Sequence, residues 1–276
     1  MSGPREGSAA WLREQGLFAR KSFGQHFLLD PQLCARIVRA AGDLTGAHTV
    51  EVGPGPGGLT RALLESPAAS VTAVELDRRF AMALQPMAEA SGGRLRIVEA
   101  DALKLDVTSL APPPRAIVAN LPYNVGTPLL LGWLRRIGEF QSLTLMFQKE
   151  VAERIVAAPD TGAYGRLAVL AQSVADASLV LAVPARAFTP PPKVDSAVVR
   201  LTPKPVRPDP ALLAALEKAT EAAFGQRRKM LRSSLKSLGP RGPLALAATG
   251  IDETRRAETL SVDEFLTLAR AFLNAS

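Results

Sequence analysis

Apolar positions along the chain fall into short runs separated by longer stretches of helical periodicity, the alternation expected of a parallel sheet covered by helices. Runs at residues 49–52, 70–75, 95–98, 116–119 and 143–147 read as buried strands. Residues 31–41, 59–64, 78–89, 127–135 and 149–157 carry the spacing of helices. Asp30 suits the N-cap of the first of these, and Pro31 its first turn, where no intrahelical N–H is needed. A later pair of runs, 178–183 and 196–201, predicts two strands at the end of the same α/β sheet. Pro190-Pro191-Pro192 holds the connection between them extended.

The pattern changes at residues 202–210, where Pro203, Pro205, Pro208 and Pro210 mark a linker. Beyond it the periodicity is helical over 211–224, 226–238 and 262–272. Ser261 and Glu264 have the spacing of a capping box at the start of the last helix. The expected organisation is a flexible N-terminal tail over 1–20, an α/β domain over 21–204 and a small helical C-terminal domain over 205–276.

Composition narrows the class without changing that outline. The chain has 276 residues, 47% hydrophobic and 21% charged, as in ordinary globular proteins. A formal charge of +7 and a pI near 10.0 favour a polyanionic partner. Cys34 is the single cysteine, which excludes an intrachain disulfide or cysteine cluster. His26 and His48, far apart in unrelated contexts, give no reason to expect a metal. Residues 1–10 lack the apolar centre of a secretory signal, and no apolar run reaches the roughly eighteen residues of a membrane span. The expectation is a soluble cytoplasmic protein.

Gly53, Gly55 and Gly57 follow the run at 49–52 and precede a helix, the setting of a nucleotide-binding turn. Such a turn serves NAD, FAD or S-adenosylmethionine alike. Glu75, at the end of the next strand, is placed to accept both hydroxyl hydrogens of a ribose. Asp77 suits a helix N-cap, and Asp101, after the third strand, is a candidate acceptor for a cofactor's adenine amino group. A dehydrogenase would also need a proton-handling residue near the nicotinamide, and no Tyr/Lys or His arrangement supplies one.

The fourth strand ends instead in Asn120-Leu121-Pro122-Tyr123. The amino nitrogen of adenine is a poor nucleophile because its lone pair is delocalised into the ring. Two acceptors for its hydrogens, the Asn120 side chain and the carbonyl of Leu121 or Pro122, would favour the rehybridised nitrogen of a methyl-transfer transition state. Pro122 holds Leu121 extended, and Tyr123 can stack on a base drawn out of its helix. The chemistry needs no strong general base, because a sulfonium methyl is already activated.

These four residues are joined by Gln25-His26-Phe27-Leu28, Glu51-Val52-Gly53-Pro54-Gly55-Pro56-Gly57, Glu75-Leu76-Asp77, Phe188 through Ser196, Met146 through Ala152 and Ala223 through Lys229. As a set they resemble the ribosomal RNA adenine dimethylase family, from about Lys21 to the C-terminal helices. The resemblance implies a Rossmann-like class I methyltransferase with a seven-stranded mixed sheet plus a helical, RNA-binding C-terminal domain. It implies S-adenosyl-L-methionine as cofactor and dimethylation at N6 of two adjacent adenosines near the 3′ end of small-subunit rRNA, in an immature 30S particle. By the same likeness, cofactor contacts fall on His26, Leu28, Gly53, Glu75, Asp101 and Asn120, and base contacts on Asn120, Leu121, Pro122, Tyr123 and Phe188. Phe188 would stack on the far face of the base. The family's usual residue at position 26 is Asn, so His26 is a departure.

From residue 227 to 241 the chain carries Arg227, Arg228, Lys229, Arg232, Lys236 and Arg241 with no acid between them. Arg228, Arg232 and Lys236 recur at helical spacing and predict one basic stripe facing RNA phosphates, with Leu231, Leu235 and Leu238 facing a core. A monomer is expected. The rival readings are a DNA adenine-N6 methyltransferase and a non-catalytic RNA-binding ribosome-assembly factor, with a NAD-dependent oxidoreductase more distant.

Overall fold

The computed structural model describes residues 8–20 and 24–275. Its residues form two compact units, one of residues up to Ala152 with Ser178–Thr202 and one of Glu153–Ala177 with the chain from Pro203.

In the first unit, the chain enters through α1 (Ala9–Glu14), β1 (Phe27–Leu28) and α2 (Pro31–Ala40). It then alternates through β2 (His48–Val52), α3 (Gly58–Leu64), β3 (Ser70–Glu75), α4 (Arg78–Ala83), α5 (Gln85–Ala90), β4 (Leu95–Glu99), β5 (Arg115–Asn120), α6 (Gly126–Leu134), β6 (Ser142–Gln148) and the start of α7 (Lys149–Val156), whose residues from Glu153 belong to the second unit. After α8 (Arg166–Val174) come β7 (Ala175–Val183), β8 (Phe188–Thr189) and β9 (Ser196–Pro203). The main sheet has seven strands in the order β4-β3-β2-β5-β6-β9-β7. β2 pairs in parallel with β3 and β5, whereas β9 runs antiparallel to β6, so the sheet is mixed as expected. The order reverses at β2, and the carboxyl ends of β2 and β5 flank the crevice where α/β sheets take ligands.

The strands read as apolar runs because helices close over both faces. Val50, Ala73, Val118 and Met146 are buried in the central strands, and α2 turns Leu33, Cys34, Ile37 and Val38 toward the same core. Asp30 caps α2 at the Gln32 N–H (2.9 Å), with Pro31 in the first turn. The helix expected at 78–89 is two helices, α4 and α5, because Pro86 enters the second at its first turn and lacks the N–H that would continue the first.

The expected flexible tail needs correction over its described part; residues 1–7 and 21–23 lie outside it. Ser8 caps α1 through the Trp11 N–H (3.2 Å), and Leu12 and Leu17 are buried with Phe27 and Phe80. Phe27 meets Phe80 edge to face at 5.0 Å. Apolar contact therefore fixes a segment whose polar ends read as a tail.

The second unit is helical: α8, α9 (Pro210–Gly225), α10 (Leu231–Ser234), α11 (Arg241–Thr249) and α12 (Val262–Asn274). Its centre is aromatic. Phe224 lies 6.0 Å from the Tyr164 ring and 5.4 Å from Phe265, and the buried Tyr164 hydroxyl donates to the Leu260 carbonyl at 2.8 Å. Residues 153–177, which the sequence reading places in the first domain, join this unit through that tyrosine and through Gln172, whose amide donates to the carbonyls of Ile155 (3.0 Å) and Ala157 (2.9 Å). The buried face of α8 decides the assignment. Among the described residues, no helix is long and apolar enough to cross a membrane.

The helix expected over 226–238 is also corrected. α9 stops at Gly225, residues 226–229 form a turn, and Met230 bridges to Arg256 before the short α10 and a 3₁₀ turn at Leu235–Leu238. Leu231 and Arg232 give their N–H groups to the carbonyls of Arg255 and Glu253 instead of to a preceding helical turn. Arg228 thus has no shared helical face with Arg232 and Lys236.

The capping box of α12 forms as its spacing predicts, the Glu264 N–H donating to Ser261 Oγ (3.1 Å) and the Ser261 N–H to Glu264 Oε2 (2.7 Å). Glu264 also pairs with Arg255, whose hydrogen bonds hold the Glu264 carboxyl below its ordinary range. Replacing Ser261 by Ala should lower stability by about 1 kcal/mol, read as a shift of the urea midpoint at unchanged slope; an unshifted midpoint would show the cap to be immaterial.

Candidate active site

One concave pocket opens where β2, β3, β4 and β5 end. It is lined by the segment before α2, the glycine turn, the ends of β3 and β4 and the residues that follow β5. Gly53, Gly55 and Gly57 take φ of 72, 51 and 81°, the left-handed region that side chains disfavour. At Gly55 an added Cβ would lie 3.1 Å from the Phe27 ring, so the backbone approaches the pocket wall only without one. Gly53 and Gly55 line the pocket itself, whereas Gly57 shapes the turn behind it against Leu84 and Met87.

The carboxylates divide by environment. Glu75 is buried, accepting the Gly55 N–H at 3.0 Å and the Asp77 N–H at 2.8 Å. Burial raises its pKa, partly opposed by those N–H donors. It therefore locks the glycine turn to the end of β3. Asp77 caps α4 at the Arg79 N–H and pairs with the Arg79 guanidinium at 2.6 Å. Hydrogen bonds from Arg79 lower its pKa below the usual carboxylate range. Gln25 spans from Asp77 (3.2 Å) to the Arg20 N–H (2.8 Å), tying the entering chain to α4. Asp101 lines the pocket with one oxygen on the Leu103 N–H (3.0 Å).

Beyond β5 the geometry is more specific. Asn120 Nδ2 donates to the His26 carbonyl at 3.1 Å, which leaves Asn120 Oδ1 as the acceptor end of that amide. The Pro122 carbonyl accepts the N–H groups of Val125 (3.1 Å) and Gly126 (3.0 Å) and serves the start of α6. Of the two expected backbone acceptors, only the Leu121 carbonyl then remains for a ligand. The Tyr123 hydroxyl shares a 2.7 Å hydrogen bond with Ser196 Oγ, and the His26 ring stacks against the Tyr123 ring at 5.5 Å and 28°. Burial raises the tyrosine pKa and keeps the phenol neutral. His26 Nδ1 meets the Pro190 carbonyl at 2.8 Å, so the imidazole carries its proton there.

Most of the residues expected from the sequence meet in this pocket: His26, Leu28, Gly53, Gly55, Glu75, Asp101, Asn120, Leu121, Pro122 and Tyr123. Phe188 does not. It pairs with Leu28 across the β1–β8 ribbon and is 3% exposed in the hydrophobic core, so its ring is not presented to a stacked base. The basic residues Arg227, Arg228, Lys229, Arg232 and Lys236 lie in the second unit. There Arg227 pairs with Glu258 (2.9 Å) and Arg232 with Glu253 (3.4 Å), acids outside the basic run itself.

Glu51 was missed. It lines the pocket at 1% exposure, and its Oε2 has no hydrogen-bond partner among the described residues. Its place in β2, two residues before the glycine turn, was the available signal. Ser196 was missed as the anchor of Tyr123, and nothing short of the antiparallel pairing of β9 with β6 brings it there.

Comparison with known proteins agrees with this geometry. The model of the family ribosomal RNA adenine dimethylase matches residues 16–273. The Gluconobacter oxydans protein named ribosomal RNA small subunit methyltransferase A is 59% identical over 258 residues, covering 94% of this chain and 84% of the relative. Its Phenylobacterium zucineum namesake is 59% identical over 263 residues, covering 95% and 91%. Among solved structures, a dimethyladenosine transferase from Plasmodium falciparum superposes with a TM-score of 0.76 at 25% identity, covering 89% of this chain and 97% of that one. The 23S rRNA methyltransferase ErmE gives 0.66 at 30% identity, covering 89% and 99%. With its glycine turn, the buried Glu75 carboxylate that holds it and the Asn120–Tyr123 segment at the end of β5, this Rossmann-like chain belongs to the ribosomal RNA adenine dimethylase family.

Proposed function

We propose that this enzyme transfers two methyl groups from S-adenosyl-L-methionine to N6 of each of two adjacent adenosines near the 3′ end of small-subunit rRNA. The immature 30S particle is its substrate and the cytoplasm its setting, and it acts as a monomer. The observation that carries the reading is the oriented Asn120 amide, Nδ2 held by the His26 carbonyl and Oδ1 left to accept, beside the Leu121 carbonyl.

The pocket fits the cofactor on its own terms. The turn at Gly53 and Gly55 gives the backbone close access, and Glu75 at the end of β3 is the ribose acceptor. Asp101 serves the cofactor's adenine amino group, and His26 and Leu28 line the wall before α2. When bound, the cofactor supplies an activated methyl group on a sulfonium. The chain's task is to prepare the nucleophile. Asn120 Oδ1 and the Leu121 carbonyl accept the two N6 hydrogens, drawing the lone pair out of conjugation and toward the methyl carbon. Tyr123, its ring held by Ser196 and His26, stacks on the extruded adenine. The proton leaves N6 for solvent after transfer, so no strong base is required.

Specificity for RNA comes from the second unit. Arg227, Arg228, Lys229, Arg232 and Lys236 supply phosphate contacts, Arg228 and Lys229 from the exposed turn after α9 and Arg232 and Lys236 from the exposed side of α10 and the turn beyond it.

Incubation with undermethylated small ribosomal particles, followed by mass analysis of nucleosides, should yield dimethyladenosine in rRNA; methyladenosine appearing only in DNA would overturn the assignment. In that assay Asn120→Ala should lower the transfer rate by roughly 10²–10³-fold, the scale of losing one oriented transition-state partner, while the protein still unfolds in one cooperative transition shifted only slightly by the lost bond to the His26 carbonyl. His26→Asn should leave S-adenosylmethionine affinity within about threefold, less than about 1 kcal/mol, because the Asn120 contact is made by the backbone carbonyl; a tenfold change by calorimetry would show that the imidazole matters. Neutralising Arg228, Arg232 and Lys236 together should weaken RNA binding and flatten its salt dependence. An unchanged slope would return those residues to ordinary surface.

A further inference from the structure

Two acidic side chains with different surroundings face the cofactor pocket from adjacent strands. Glu75 on β3 is satisfied by the N–H groups of Gly55 and Asp77. Glu51 on β2 is less well supported: its Oε2 is buried without a hydrogen-bond partner among the described residues. Thr60 on α3 is its polar neighbour, but the threonine hydroxyl makes no hydrogen bond of normal geometry. A carboxyl kept in this condition is costly unless something else answers it. Glu51 lines the pocket, which identifies the direction from which the answer comes.

The surrounding charges leave that role to Glu51. Asp77 is engaged by Arg79 and Gln25, and Asp101 lies beside Lys104 at 3.9 Å. His26 is committed to Pro190 and Tyr123 to Ser196. Among the described residues, the charge that acts on Glu51 is that of Glu75, a like charge. Burial pushes Glu51 up to about 8, opposed by the neighbouring Thr60 hydroxyl and aided more weakly by the charge of Glu75. Before a ligand binds, the Glu51 carboxyl is therefore mostly protonated at neutral pH.

S-Adenosylmethionine carries a sulfonium in addition to its ammonium and carboxylate, a net charge of +1 that its thioether product lacks. We propose that Glu51 is the compensating charge for the sulfonium, giving up its carboxyl proton to solvent as the methyl donor binds and taking one back once the methyl has left. Glu51 would then discriminate donor from product: the ionised carboxylate favours the cationic donor, and the neutral acid is indifferent to the thioether. This rests on the reading that the pocket is the cofactor site and adds a proton to its binding equilibrium.

The linkage has a definite sign. Binding that releases a proton from a group titrating near 8 strengthens as pH rises toward that value and levels off above it. Donor affinity should rise roughly tenfold between pH 6.5 and 8, and product affinity by less than about threefold. Calorimetry at pH 7 in buffers of different ionisation enthalpy should show roughly 0.9 proton released on donor binding and far less for the product. Glu51→Gln, checked for folding by its thermal transition, should abolish the release and narrow the donor-to-product affinity ratio. A buffer-independent donor enthalpy in the unmodified protein, equal release with the product, or release that persists in Glu51→Gln would each overturn the proposal. The cofactor-site reading is tested separately: donor affinity unaffected by Glu75→Gln and by Asn120→Ala would sink it whatever the proton count.

Discussion

Most of the site hangs on one hydrogen bond, 3.1 Å from Asn120 Nδ2 to the His26 carbonyl, because it fixes which end of an otherwise ambiguous amide faces the pocket. An asparagine that rotated freely would offer a donor as readily as an acceptor, and a donor aimed at an amino group is useless. The bond requires β1 and its approach to lie beside the end of β5. The β1–β8 ribbon and the His26 contact with the Pro190 carbonyl hold that approach in place. α1 supports the same strand from the other side through Leu12, Phe27 and Phe80. The N-terminal segment is therefore part of the chemical centre although none of its residues need touch the reacting atoms.

The pocket also shows how one strand order serves opposite electrostatic ends. Glu75 is buried but supported by two backbone donors, which suits the ribose acceptor proposed for it. Asp77, two residues on, is spent on structure, pairing with Arg79 and capping α4. Glu51 is buried without that support and is the group whose protonation a ligand can most readily change. Three acids near the ends of two adjacent strands thus have three different tasks, set by the number of donors around each.

Much of this was legible because strands buried on both faces must be apolar and their ligand-binding ends must carry the exceptions. The strand at Ser70–Glu75 coincides with its apolar run, and Gly53, Glu75, Asp101 and Asn120 all follow or end strands where the alternation breaks. What stayed hidden depended on contacts distant in sequence. Leu12 and Leu17 are ordinary apolar residues until Phe27 and Phe80 meet them. The basic run lost its helical register at Met230, which pairs with Arg256, a partner no local periodicity could disclose. Phe188, read through a family likeness as a stacking residue, is buried by its pairing with Leu28. Glu51 was visible as a letter but was absorbed into the strand that precedes the glycine turn.

In the proposed function, the two acceptors at the end of β5 also bear on when the reaction stops. An unmethylated adenine amino group has two hydrogens and can satisfy both Asn120 Oδ1 and the Leu121 carbonyl. After one transfer a single hydrogen remains, so one acceptor still polarises the nitrogen and a second transfer stays possible. After two transfers neither acceptor has a partner. Each would then be a desolvated oxygen facing a methyl group, an arrangement that costs about 1–3 kcal/mol per buried unpaired group. The clamp that activates the substrate thereby disfavours the finished product, and the base returns to its own stack without a separate device to expel it. Tyr123 does not oppose this, since a ring pinned by Ser196 and His26 offers stacking alone and cannot replace the lost hydrogen bonds. The geometry that selects the nitrogen therefore also counts the methyl groups placed upon it.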